Sequence, residues 1–208
     1  RIMPEARNIS GSSGSVLFKP ANEAALALYR MSIGRGDKTS LRLTSHEEAE
    51  KAFLANKIDL NNKISIPGIG VTTLGRLRIA KVVPEQYRKD ILTNLNQPFD
   101  SKYQDRVLKE TARNAAGAFL PVADRLAQLG FKMAYESGHS VTLADLKPLS
   151  AVRDPIIAKA EKAAAKATNP NEVTKIWVEA TKDIHAAYEK HYTTAPTNIS
   201  DMAKSGIK

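Results

Sequence analysis

The sequence DPIIAKAEKAAAKATNPNEVTKIWVEATKDIHAAY, residues 154–188, decides the fold of the last third of the chain. Its first half repeats small apolar residues, mostly alanine, every three or four positions, which predicts a helix that begins at the Asp-Pro pair 154–155. A second helix is predicted to begin at the Asn-Pro pair 169–170 and carries larger side chains, Trp177 and Ile184 among them. Because few residues separate the two stripes, the pattern predicts an antiparallel helical hairpin whose small side chains let Trp177 and Ile184 come close.

Shorter elements are predicted in the first 150 residues from caps, turn residues and hydrophobic spacing. Ser45 and Glu48 fit a capping box, in which each side chain satisfies a backbone N–H of the other residue, and Gly130 is predicted to end a helix. Strands are predicted at 16–18, 39–43, within 58–71 and at 72–83, and helices at 20–31, 45–56, from 87 onward, 101–116 and 121–129. The whole pattern predicts an α+β fold that is mainly helical.

Composition excludes several classes of protein. The 208 residues are 42% hydrophobic and 25% charged, which is ordinary for a folded chain and excludes wholesale disorder. The absence of cysteine excludes a disulfide scaffold and a thiolate metal site. No apolar run approaches the roughly 20 residues that a membrane span needs, so no membrane partner is predicted.

Positive charge is concentrated in the first 150 residues, which hold 22 basic and 15 acidic groups, while the last 58 hold 9 and 7. The net charge of +9 favours a polyanionic partner. Arg76 and Arg78 belong to this excess, and two interpretations stay open for such residues: a phosphate contact or a solvated face. For Arg76 a third is open, a structural arginine that satisfies backbone groups.

The sequence shows no catalytic or metal-binding pattern. It has no phosphate-binding glycine loop followed by Lys-Ser/Thr, no Asp-x-Asp-x-Asp cluster and no serine on a nucleophile elbow. The four histidines have no metal-ligand spacing with carboxylates. We therefore predict no catalytic residue and no metal site on this chain, and the residues alone indicate a basic, mainly helical interaction module.

Six stretches resemble, in order, the beta-prime subunit of multisubunit DNA-directed RNA polymerase just after its magnesium-binding loop. VTTLGRLRIAKVVPE at 71–85 is similar to the family's Thr-Thr-x-Gly-Arg passage, and KIWVEATKDI at 175–184 to its Ile-Trp-x-x-Ala-Thr helix. DMAKSGIK at 201–208 resembles Met-Ala-Asp-Ser-Gly-Ala-Arg, with lysine in place of the aspartate and of the arginine. The other three stretches are 3–32, 43–66 and 129–148.

The resemblance implies a non-catalytic part of the polymerase, the secondary-channel funnel that admits nucleoside triphosphates. It divides the chain into a mixed segment at 1–85, a helical funnel segment at 86–150, the hairpin at 151–195 and a return segment at 196–208. Channel or phosphate contacts are expected from Arg76, Arg78, Lys204 and Lys208. The hairpin is expected to be the protruding rim helices, where regulators of cellular enzymes dock, with a short tip formed by Ala167, Thr168, Asn169, Pro170 and Asn171.

The resemblance also implies partners and a cofactor. The partners are beta-like and remaining beta-prime-like chains, template DNA, RNA and nucleotides, and Mg²⁺ is expected on another chain or segment. A sequence that starts just past the metal loop resembles a split beta-prime subunit of a giant bacteriophage polymerase, which would place it in the host cytoplasm or the virion; otherwise it would be cytoplasmic. The alternative is a stand-alone basic nucleic-acid-binding or scaffold module with a helical hairpin.

Overall fold

The computed structural model describes residues 8–34, 41–137, 142–143, 145 and 148–206. The chain forms two compact units, one made of residues 1–139 and 202–208 and the other of residues 140–201. The predicted division into four segments stays a prediction.

The first unit combines helices with one small sheet. Its elements are α1 (Asn22–Ser32), β1 (Leu41–Arg42), α2 (His46–Leu54), β2 (Lys63–Ile66), β3 (Gly70–Thr73), α3 (Leu74–Val82), α4 (Glu85–Thr93), α5 (Ser101–Asn114) and α6 (Ala116–Ser137). The second unit contains α7 (Ser150–Ala164) and α8 (Pro170–Thr194). Helix α9 (Asn198–Ser205) is divided in sequence, since residues up to 201 belong to the second unit and those from 202 onward to the first. The mainly helical α+β fold that the sequence predicts is thus confirmed.

The sheet has the order β1-β2-β3, with β1 parallel to β2 and β2 antiparallel to β3. A tight turn joins β2 to β3, and Gly68 has a φ of +79° there, a conformation that side chains with a Cβ rarely adopt. Ile64 and Ile66 of β2 are buried. They form a small core with residues of α2 and α3, including Ala49, Leu74 and Leu77.

The main core of the first unit lies among its helices. Fully buried members include Leu28, Leu108, Phe119 and Leu126. Helix α1 approaches α6 closely at Gly130, where an added Cβ would lie 2.5 Å from the carbonyl oxygen of Ala24. Gly130 therefore serves helix packing, and the prediction that it ends a helix is wrong, since α6 continues to Ser137.

The predicted strand at 72–83 is also wrong. Only Thr72 and Thr73 are in a strand, β3. The hydroxyl oxygen of Thr73 then accepts a hydrogen bond from the N–H of Arg76 at 3.2 Å and caps α3. Because α3 is buried on most of its surface, its apolar residues lack the one-sided spacing of a surface helix, and their alternation resembled that of a strand.

Three smaller predictions about the first unit need correction. The predicted strand at 16–18 is only a single bridge from Ile9 to Val16, and Leu17 and Phe18 are half-exposed. Ser45 accepts from Glu48 N–H at 3.2 Å as predicted, but the Glu48 carboxylate accepts from Thr44 N–H instead of closing the box. The predicted helix start at 121 is five residues late.

The second unit contains the predicted helical hairpin. Helices α7 and α8 pack together, and the buried Ala160 and Ala180 mark their contact. Asn169 caps α8 by accepting from the N–H of Asn171 at 2.9 Å, as predicted. Helix α7 begins at Ser150, before the predicted pair 154–155, so Pro155 lies inside the helix rather than at its first position.

Trp177 is 39% exposed, and Ile176 and Ala180 line a groove between α7 and α8. The close approach of Trp177 to the small residues of the first helix stays a prediction. Ile184 is half-buried.

Candidate functional site

Among the residues that the structure describes, Arg76 has the largest fully buried side chain, at 1% exposure. Helix α3 can carry it inward because Gly75 lies against α1, where a Cβ would be 2.1 Å from the carbonyl oxygen of Met31. The guanidinium donates only to main-chain carbonyl oxygens. They belong to Ser32 (Nε, 2.7 Å), Ile91 and Asn94 (Nη1, 2.6 and 2.9 Å), and Leu95 and Gln97 (Nη2, 3.4 and 2.9 Å).

This arrangement uses all the donor capacity of the Arg76 side chain, because a guanidinium has five N–H groups. Burial lowers the pKa of Arg76 to about 10, partly offset by Tyr103 and Asp90, so the side chain is still charged at neutral pH. Of the interpretations that the sequence left open, the structure favours the structural arginine. No N–H group remains for a phosphate.

Arg78 lies two residues after Arg76 on α3 and is paired with a carboxylate. Its Nε and Nη2 donate to the two carboxylate oxygens of Glu50 at 2.9 and 2.7 Å, and the guanidinium lies over the ring of Phe53 at 4.8 Å. The side chain is 16% exposed. The bond to Arg78 lowers the pKa of Glu50. A phosphate would have to displace Glu50 from this bidentate pair.

The two predicted lysine contacts lie near the end of the sequence. Lys204 is exposed on α9. Lys208 lies outside the described residues. Arg76 and Arg78 share helix α3, but their guanidinium groups have different partners and do not form a common phosphate site. The roles of the two lysines stay predictions.

The predicted regulator-docking tip connects α7 to α8. Thr168, Asn169, Pro170 and Asn171 are exposed, and Ala167 is half-buried. The side chain of Asn169 is used as the cap of α8. The other tip residues present short polar groups and a proline ring.

Two groupings were missed by the sequence reasoning. Glu50 is the partner of Arg78, 28 residues away in the sequence. A depression on the first unit also brings together His46, Lys81 and Arg88 from α2, α3 and α4. No spacing rule joins three separate helices, so the sequence contains no local signal for either grouping.

No three His, Asp or Glu side chains come together in the described ranges as a metal site would require. The described residues therefore do not fit Mg²⁺. The expectation that Mg²⁺ is bound by another chain or segment stays a prediction. None of the helices within those ranges has the length and apolar character needed to cross a membrane.

No protein-family model matches the chain. Several curated proteins have similar sequences. The protein named DNA-directed RNA polymerase subunit beta' of Bdellovibrio bacteriovorus is 30% identical over 168 residues, covering 77% of this chain and 12% of that protein. The one from Thermotoga neapolitana is 28% identical over 228 residues, covering 96% and 13%. The one from Kineococcus radiotolerans is 26% identical over 247 residues, covering 100% and 18%.

These similarities extend over most of the chain and all point to the same polymerase subunit. The chain is related to the beta-prime subunit of bacterial DNA-directed RNA polymerase, which confirms the broader part of the predicted resemblance. It spans between 12% and 18% of the length of these three relatives.

Proposed function

We propose that this chain is a part of a DNA-directed RNA polymerase and builds the wall of the secondary channel through which nucleotides reach the active centre. The observation that carries the proposal is the similarity to beta-prime subunits over as much as the full length of the chain. The second unit supports it, because an antiparallel hairpin of the kind expected for rim helices is present as α7 and α8.

In this proposal the chain supplies architecture rather than chemistry. The nucleotidyl transfer belongs to another chain or segment, which holds Mg²⁺. Arg76 gives the wall rigidity by joining α1 to the end of α4 through main-chain carbonyls of Ser32, Ile91 and Asn94. The exposed lysine of α9, Lys204, and Lys208 contribute positive charge along the nucleotide path.

We further propose that the partners are a beta-like chain and the remaining beta-prime-like polypeptide, with template DNA, RNA and nucleoside triphosphates in the working complex. A split beta-prime subunit of a giant bacteriophage polymerase accommodates these expectations, with the enzyme in the host cytoplasm or the virion. The hairpin tip, residues 167–171, is the proposed docking point for secondary-channel regulators.

Purification from the cell that makes the protein tests the proposal. An affinity tag on the natural polypeptide should recover beta-like and beta-prime-like chains, identified by mass spectrometry, and the purified complex should synthesise RNA from a DNA template. A polypeptide recovered alone, monomeric and binding nucleic acid with a steep salt dependence would instead establish the stand-alone module. The composition of the purified complex decides between them.

A further inference from the structure

A depression of about 260 Å³ opens on the first unit where α2, α3 and α4 meet. Its polar lining consists of His46, Lys81 and Arg88, one residue from each helix. Its apolar lining consists of Leu77, Ala80 and Leu92. Every charged side chain that lines it can thus donate hydrogen bonds and carry positive charge, and no carboxylate lines it.

Neither permanent cation of the depression forms a direct ion pair in the part of the chain that the structure describes, although the charge of Lys81 helps to lower the pKa of Glu47 and of Glu50. Lys81 forms no ion pair there. Arg88 donates one hydrogen bond, from Nε to the carbonyl oxygen of Val83 at 3.3 Å, which leaves its two terminal nitrogens for a ligand. By contrast, the nearby Arg78 is held by Glu50.

His46 adds a third donor. Its side chain is 15% exposed, and its Nδ1 is buried without a hydrogen-bond partner. Its Nε2 lies 3.4 Å from Glu50, whose carboxylate is already engaged by Arg78. A buried nitrogen without a partner is costly, so a turn of the ring that brought Nδ1 to a bound acceptor would be stabilising.

The surroundings of His46 disfavour the positively charged form of its ring. Burial lowers the pKa of His46, and the positive charges of Lys81 and then Arg78 lower it further, against the opposing effects of Glu50 and Glu47. A bound anion would raise this pKa, because it favours the protonated ring.

We propose that the depression formed by His46, Lys81 and Arg88 binds a dianionic phosphate group, either inorganic or as a phosphate monoester. Phosphate fits better than a carboxylate because its oxygens can accept from all three helices at once, and Arg88 can offer two parallel N–H groups. Leu77, Ala80 and Leu92 form the apolar floor, which reduces competition from water. Phosphate binding here does not depend on the proposed function, since the site lies within the first unit alone.

The test is an NMR titration of the full chain, followed through the imidazole signals of His46, with sodium phosphate added at constant ionic strength against chloride. We expect a saturable shift and a higher pKa of His46 in the presence of phosphate. Lys81→Gln and Arg88→Gln should each weaken binding about tenfold, because each removes one charge-assisted contact. The matched control is Lys51→Gln, which removes the same charge from an exposed position elsewhere on α2.

Methyl phosphate and ribose 5-phosphate, titrated in the same way, distinguish a free phosphate from a monoester as the natural source, and saturable binding of any of these three probes supports the site. Equal weakening in the control, or no saturation with any of them, overturns it. Binding of a single-stranded oligonucleotide without binding of the three small phosphates also overturns it, because it would reveal a nucleic-acid surface. Near-ultraviolet circular dichroism verifies that each variant is folded.

Discussion

The Nε of Arg76 donates to the carbonyl oxygen of Ser32 at 2.7 Å, joining residues 44 positions apart in the sequence. The same side chain holds the loop after α4 through Asn94, Leu95 and Gln97. A cation buried among carbonyl oxygens, with no carboxylate bonded to it, acts as a main-chain clamp. Its removal leaves several buried acceptors unsatisfied at once.

We therefore expect Arg76→Lys to lower the free energy of unfolding by about 3 to 5 kcal/mol, although the charge is kept, because one ammonium cannot replace the planar fork. Urea unfolding followed by circular dichroism measures the change. Arg125→Lys, at an exposed position of α6, is the matched control and should change stability by less than about 0.5 kcal/mol. Equal stability of the two variants would show that the clamp contributes little.

Two glycines of α6 give opposite predictions. Gly130→Ala should destabilise the protein by about 2 kcal/mol or more, because the added Cβ would meet backbone atoms of Ala24, which cannot move without shifting α1. Gly117→Ala should be neutral or stabilising by up to about 1 kcal/mol, since nothing lies within 4 Å of its added Cβ and alanine favours a helix. Thermal and urea unfolding of both variants compare them. A stabilising Gly130→Ala would contradict the close approach of α1 and α6.

These cases show which parts of the structure are predictable from local sequence. The start of α8 is predictable from two adjacent residues, because Asn169 caps the helix and Pro170 is its first residue. The role of Arg76 depends on carbonyls from α1 and from the segment after α4, which meet only in the folded chain. The same holds for the pairing of Arg78 with Glu50.

The position of Trp177 around α8 could not be fixed from spacing alone. Spacing of three and four residues defines a broad stripe on a helix, and a stripe does not say which of its edges faces the neighbour. Trp177 and Ile176 are adjacent in sequence and about 100° apart around α8, and it is Ile176 that lines the groove with α7. The hairpin was predictable from the sequence, whereas the degree of exposure of each residue around its second helix was not.

A consequence is that Trp177→Ala should cost little stability, about 1 kcal/mol or less, since 39% of the side chain is already exposed. Ala180→Asp should cost about 2 to 3 kcal/mol, because it places a charge at a position that is 5% exposed. Helix content, followed by circular dichroism during urea unfolding, measures both. The fluorescence of Trp177, the one tryptophan of the chain, should be accessible to acrylamide quenching.

The pair of Arg78 and Glu50 predicts a pH dependence. The bond to Arg78 holds the pKa of Glu50 below its ordinary value. The contribution of the ion pair to stability is therefore complete above the pKa of Glu50 in the unfolded chain, about 4.3. It is lost as the pH falls through the lower pKa of Glu50 in the folded protein. Glu50→Gln should remove this contribution, so its stability deficit should shrink between about pH 6 and pH 3.

Urea unfolding of the two proteins across this range measures the difference. Glu136→Gln, which alters an exposed carboxylate paired with Lys132 on α6, is the control and should show only a small deficit, because an exposed ion pair contributes little to stability. A deficit of Glu50→Gln that stays constant down to pH 3 would mean that the ion pair does not contribute through ionisation.

The proposed channel role predicts a kinetic phenotype for the lysines near the end of the sequence. In the assembled polymerase, Lys204→Glu and Lys208→Glu should each raise the apparent KM for nucleoside triphosphates several-fold while kcat changes little, because reversed charge repels an incoming polyanion before it reaches the active centre. The effect should diminish at high salt, since screening weakens steering. Lys57→Glu, an identical charge change at an exposed position after α2, is the control and should leave KM unchanged. Initial rates of RNA synthesis against nucleotide concentration, at two ionic strengths, measure these effects. If KM is unchanged in both lysine variants, the two lysines do not contribute charge to the nucleotide path, and the wall acts through shape alone.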